Sequence, residues 1–121
     1  MILVVDDDPV IRLLVEEYLT ALGYEVCAVA TRASFNQMLA TQEPALCLID
    51  MQLEGATGID LLRDLRERPF TRKIPVIFLS ASPEVGALMD AAGIHADAVV
   101  QKPFEPRMLA AEVARLIDMN S

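Results

Sequence analysis

The sequence predicts an α/β fold: a doubly wound, five-stranded parallel sheet covered by helices on both faces, in three layers α/β/α. Three observations carry this expectation. Short apolar runs alternate with helix patterns five times along 121 residues. The strongest runs are continuous rather than alternating, as strands buried on both faces are. Each run is followed by a helix pattern, and successive βα units imply parallel strands with right-handed crossovers.

The elements follow in order. Ile2 to Val5 is the first strand. Asp8 and Pro9 read as N-cap and first turn of a helix. Its apolar stripe is Ile11, Leu14, Val15, Tyr18, Leu19 and Leu22, with Arg12 and Glu16 paired on the wet side and Gly23 as the stop. Glu25 to Val29 is the second strand. Thr31 caps a short helix that turns Phe35, Met38 and Leu39 inward, and Pro44 closes the connection. Leu46 to Ile49 is the third strand. A loop from Met51 to Thr57 leads into a helix with Ile59, Leu62 and Leu65 on one face. Pro69 and Pro75 bracket the next connection, and Val76 to Leu79 is the fourth strand. Ser82 and Pro83 open a fourth helix that ends near Gly93. Gly86 lies inside it and costs about 1 kcal/mol against alanine, so this helix is expected to be the weakest. Ala98 to Val100 is the fifth strand. Glu105 and Pro106 start the last helix, with Leu109, Val113, Leu116 and Ile117 inward.

Composition bounds the function. The length fits one domain, residues 1–121, with no linker and no repeat. The chain is 54% hydrophobic and 23% charged, which suits a packed core and opposes disorder. Its net charge of −8 disfavours direct nucleic-acid binding and anionic membranes. No apolar stretch approaches the roughly 20 residues of a membrane span. The start lacks the basic region of a signal peptide. Cys27 and Cys47 each lie in an apolar run, which suits buried reduced thiols in a cytoplasmic protein.

Four runs end in chemistry. Val5 leads into Asp6, Asp7 and Asp8; Ile49 into Asp50; Leu79 into Ser80; Val100 through Gln101 into Lys102 and Pro103. Open parallel sheets bind ligands outside the carboxyl ends of their strands. One rim would therefore gather acids, a hydroxyl and an ammonium. Two carboxylates 4 Å apart repel by about 4 kcal/mol at an effective dielectric near 20. A fold keeps Asp6, Asp7 and Asp50 together only with cations to offset them. Lys102 supplies one charge, and a hard ion such as Mg²⁺ supplies two.

These pieces resemble the receiver domain of two-component response regulators over essentially the whole chain. The matching segments are ILVVDDDP, LCLIDMQL with Gly58 eight residues after Asp50, VIFLSA, and QKPF. The resemblance implies a flavodoxin-like strand order 2-1-3-4-5. It implies that Asp50 is the phosphoacceptor, attacking a phosphohistidine on a histidine kinase or phosphotransfer protein. It further implies Mg²⁺, with Mn²⁺ as substitute, held by Asp7, by Asp50, by the backbone carbonyl of Gln52, and by Asp6 through water. Ser80 would bond a phosphoryl oxygen, and Lys102 would pair first with Asp50 and then with the phosphoryl group. Pro103 would follow a cis peptide bond. Asp8 fits helix capping better than ligation.

The chain departs from the family pattern at two places. Val99 stands where an aromatic residue is usual, and reads as core filling. Glu54 stands where many relatives carry proline, which bears on the stiffness of the loop after Asp50. Gln52 and Ser82 occupy the two variable positions beside the phosphoryl site. His95 reads as a solvated loop residue. The expected output is protein binding, to a second copy or a downstream partner, through the fourth helix, fifth strand and fifth helix. Three other functions compete with this reading. A receiver-like scaffold or phosphate sink would lack this output. A Mg²⁺-dependent phosphohydrolase would want an acid where Gln52 stands. A flavin-type cofactor binder would need a Ser/Thr/Gly-rich loop after the first strand.

Overall fold

The computed structural model describes residues 1–119. Five strands form one parallel sheet: β1 (Ile2–Val5), β2 (Val26–Val29), β3 (Leu46–Asp50), β4 (Val76–Ser80) and β5 (Ala98–Gln101). Their spatial order is β2-β1-β3-β4-β5, as expected, with Val5 beside Ile49 and Asp50 beside Leu79. Five helices connect and cover them: α1 (Pro9–Ala21), α2 (Arg32–Thr41), α3 (Gly58–Glu67), α4 (Val85–Ala92) and α5 (Pro106–Met119).

Strand side chains alternate between two cores, because successive residues point to opposite faces. Leu3, Val5, Cys47, Ile49, Val76 and Phe78 pack with Phe35 of α2, Leu61, Leu62 and Leu65 of α3, and Val85 and Met89 of α4. On the other face Ile2, Val4, Leu46, Leu48, Ile77 and Leu79 meet Val15 and Leu19 of α1 and Leu109, Val113 and Leu116 of α5. Both faces are dry, which explains the unbroken apolar runs of β1, β3 and β4.

The helix ends follow the sequence closely in three places. Asp8 accepts from the Val10 N–H and caps α1. Thr31 accepts from the Ser34 N–H and caps α2. Gly23, at φ +100°, takes the left-handed turn after α1 that side-chain-bearing residues avoid.

Other details differ. Leu14 and Leu22 of the predicted α1 stripe are exposed, as is Leu13, so α1 buries a narrower face than its apolar content suggests. Arg12 does not pair with Glu16; its guanidinium donates to the Asp6 carbonyl at 2.8 Å. The segment after Asp50 is a small hairpin, in which Gln52 pairs with Thr57 and Leu53 with Ala56. α4 starts at Val85, later than Ser82 and Pro83 suggested: Glu84 is its N-cap, and Ser82 stands in the preceding turn, its hydroxyl accepting from the Glu84 N–H at 3.1 Å. β2 starts one residue later than predicted, and β3, β4 and β5 each run one residue longer, to Asp50, Ser80 and Gln101. Val99 does not fill core: it is 42% exposed on edge strand β5. Cys47 is buried as expected, whereas Cys27 is only partly so.

Candidate functional site

The site begins with strand ends. β1 delivers Asp6 and Asp7, β3 delivers Asp50, β4 delivers Ser80, and Lys102 follows β5. The parallel register sets these ends side by side, so residues up to 96 positions apart in the chain come within hydrogen-bond reach. With Asp8, Met51, Gln52 and Ala81 they line a cavity of about 210 Å³ at the carboxyl rim.

Asp6, Asp7 and Asp50 each offer a carboxylate oxygen, and these oxygens lie within 4.8 Å of one another. Asp6 is fully buried. It accepts from Lys102 Nζ at 2.9 Å and from the Asp8 N–H at 2.9 Å. Asp50 is 6% exposed. It accepts from the Gln52 N–H at 3.3 Å and lies 3.4 Å from Lys102 Nζ. Lys102 thus sits closer to Asp6 than to Asp50, its expected partner. Asp7 is exposed, and its Oδ2 accepts from the Glu54 N–H at 3.0 Å.

The charges strain against each other. Burial, and next the neighbouring Asp6 carboxylate, push the Asp50 carboxyl up to about 6, although Lys102 pulls the other way. For Lys102, burial opposes the charge, but the Asp6 hydrogen bond and the Asp50 and Asp6 carboxylates outweigh it and hold its pKa above the usual lysine value. Three carboxylates against one ammonium leave excess negative charge in a small cleft. Hard oxygen donors of this kind suit a divalent cation such as Mg²⁺.

Ser80 is buried and its hydroxyl is engaged locally: it accepts from the Ser82 N–H at 3.0 Å and donates to the Ser82 carbonyl at 3.3 Å. The Lys102–Pro103 peptide bond is cis, as the resemblance implied. Gly58 is required by packing: a Cβ there would meet Phe78 at 3.0 Å and the Met51 Cα at 3.1 Å. His95 is exposed, and its Nε2 lies 2.7 Å from Asp90. Sequence reasoning missed the Glu54 N–H as a partner of Asp7. A backbone donor leaves no side-chain signature, and the sequence shows only that residue 54 is not proline and so carries an N–H.

Beside the acidic cavity runs an apolar groove of about 710 Å³ between α1 and the start of α5. Ile11, Leu14, Tyr18, Phe104 and Leu109 line it, and it shares Ala81 and Lys102 with the cavity.

Comparison with known proteins agrees with this architecture. Residues 2–114 match the response regulator receiver domain family. The transcriptional regulatory protein GltR of Pseudomonas aeruginosa is 36% identical over 116 residues, 96% of this chain and 48% of that protein. The phosphate regulon transcriptional regulatory protein PhoB of the same organism is 33% identical, over 96% of this chain and 51% of that one. The chain thus spans about half the length of the curated relatives it matches. A putative response regulator from Chloroflexus aurantiacus superposes with a TM-score of 0.88 at 29% identity, covering 97% of this chain and 96% of that one. The receiver domain of a sensor histidine kinase from Pseudomonas aeruginosa, with a magnesium ion coordinated in its active site cleft, gives 0.87 at 28% identity, covering 97% and 96%. Sequence, sheet order and rim chemistry converge: the chain belongs to the response regulator receiver domains, the phosphoacceptor signalling domains of two-component systems.

Proposed function

We propose that this chain takes a phosphoryl group onto Asp50 from a phosphohistidine of a histidine kinase or phosphotransfer protein. The observation that carries the reading is the meeting of Asp50 with Asp6, Asp7 and Lys102 at one rim. An Asp50 carboxylate oxygen attacks phosphorus in line. The phosphorus–nitrogen bond breaks, and the imidazole leaves with its electron pair and takes up a proton. Such transfer depends on positioning and charge neutralisation rather than further covalent help. Asp7, Asp50 and the Gln52 carbonyl would hold Mg²⁺ or Mn²⁺, with Asp6 acting through water. That cation supplies positive charge to the phosphoryl oxygens. Lys102 pairs with the transferred group, and the Ser80 hydroxyl turns from Ser82 to bond one of its oxygens. The domain turns over no separate substrate.

The apolar groove along α1 supports docking of the phosphodonor, since it opens beside the cavity and shares Lys102 with it. Leu88 and Val99, exposed on α4 and β5, support an output surface for a second copy or a downstream protein. Among the described residues no helix is long and apolar enough to cross a membrane, which is compatible with action in the cytoplasm.

Phosphoramidate with Mg²⁺ is expected to add one phosphoryl group by intact mass. Asp50→Asn is expected to add none. Equal labelling of that variant at an equal rate would refute the assignment.

A further inference from the structure

The hairpin after Asp50 does more than join β3 to α3. Its tip reaches 47 residues back along the chain, where the Glu54 N–H donates to Asp7 Oδ2 at 3.0 Å. Asp7 is exposed, and an exposed side chain gives up rotamer freedom to hold one orientation. Hydrogen bonds to an ionised carboxylate are among the stronger ones. A carboxylate has about four acceptor sites, so this bond leaves capacity for a cation.

The donor stands on a firm base. Two pairs, Gln52 with Thr57 and Leu53 with Ala56, close the hairpin. The Gly58 N–H donates to the Met51 carbonyl at 2.8 Å. Thr57 and Asp60 exchange bonds in a capping box that starts α3. Leu53 and Ala56 pack against the buried core.

We propose that Glu54 is a positioning residue for the metal centre: its backbone N–H, rather than its carboxylate, presets Asp7 to bind a divalent cation. This rests on the metal site proposed above. Side-chain identity at 54 is then nearly silent unless the residue is proline, which has no N–H to give. The coupling runs both ways. Order in the hairpin raises cation affinity, and a bound cation tightens the hairpin by the same factor.

Mg²⁺ titration of the isotope-labelled chain, followed through amide shifts around Asp50, tests this with Glu54→Ala and Glu54→Pro. Glu54→Ala is expected to stay within about twofold of the parent, and Glu54→Pro to weaken binding about tenfold, the effect of one charge-assisted hydrogen bond. Both should melt with the parent in chelator, which separates positioning from general loss of structure. Equal affinity in the two variants, whether kept or lost, overturns the proposal. If Glu54→Pro melts early, amide exchange decides. Asp7→Ala should then speed exchange at Glu54 severalfold and leave Gly58 unchanged, and unchanged exchange at Glu54 overturns the proposal. A parent protein that binds no Mg²⁺ overturns the metal site and this inference together. A parent that binds, with Glu54→Pro indistinguishable from it, overturns this inference alone.

Discussion

At the scale of single residues, Asp50 carries the largest electrostatic conflict in the cleft. Its carboxyl titrates near 3.8 when unfolded and is pushed up to about 6 in the fold, first by burial and then by Asp6. Between those values the native state holds a proton that the unfolded chain has released. Stability therefore falls as pH rises through this window. The contribution is fully present below about pH 4 and is gone above about pH 6. In chelator at pH 7, Asp50→Asn should thus stabilise the protein by roughly 3 kcal/mol, because it removes a buried charge and keeps the shape. The advantage should shrink toward pH 4. Urea unfolding across that range checks it, and a gap independent of pH would show that Asp50 is not the strained group. Cys47 offers a contrast. Burial pushes its thiol up to about 12, so it stays protonated and inert, and nothing in its surroundings calls for chemistry.

At the scale of elements, α4 stands apart. Its N-cap, Glu84, makes no side-chain capping bond, Gly86 lies in its first turn, and it buries only Val85 and Met89. α3 instead has a full capping box and four buried residues. The turn before α4 is held by Ser80 and Ser82, and among the residues lining the acidic cavity Ser80 carries the hydroxyl. Recruiting that hydroxyl to a phosphoryl oxygen would undo the Ser80–Ser82 bonds and loosen the entry to the weakest helix. A beryllofluoride complex should therefore change hydrogen exchange most between Ser80 and Gly93, with smaller changes near Lys102. Val99 should not report the switch by exchanging rotamers, since a β-branched χ1 is stiff and this side chain already faces solvent. Changes centred on β2 and α2 would refute this route. The weakness of α4 was legible from Gly86, but its start was not. Ser82 and Pro83 read as a cap and first turn, but in the fold they belong to the turn before the helix, whose N-cap is Glu84.

At the scale of the whole molecule, the fold was legible because both faces of the sheet are covered, so apolar runs and helix stripes alternate without ambiguity. The rim was legible for the same reason, since each run ends where its strand ends. What escaped depends on backbone donors and long-range fit, which carry no side-chain signature. The hairpin at Gln52 to Thr57 is one case, and the Glu54 N–H bound to Asp7 is another. Leu14 is a third: at helical spacing it reads as core, yet it lines a groove that no described part of the chain fills. The rim also sets how the whole fold should answer to metal. Asp6, Asp7 and Asp50 come together only when β1 and β3 are paired, so the unfolded chain has no equivalent site. A cation that binds only the native state stabilises it by mass action, by about 1.4 kcal/mol at ten times its dissociation constant. For a domain of this size that raises the melting temperature by about 6 °C. Asp7→Ala should remove most of this gain while changing the metal-free protein little, since relief of repulsion from its neighbours offsets the loss of the exposed Glu54 hydrogen bond. Asp8→Ala should do the opposite. It should lower stability by about 1 kcal/mol, with or without metal, because it removes the α1 cap and touches no proposed ligand role. Melting curves in chelator and in Mg²⁺ for the three proteins separate these cases. A gain that survives Asp7→Ala intact would mean that the cation binds elsewhere.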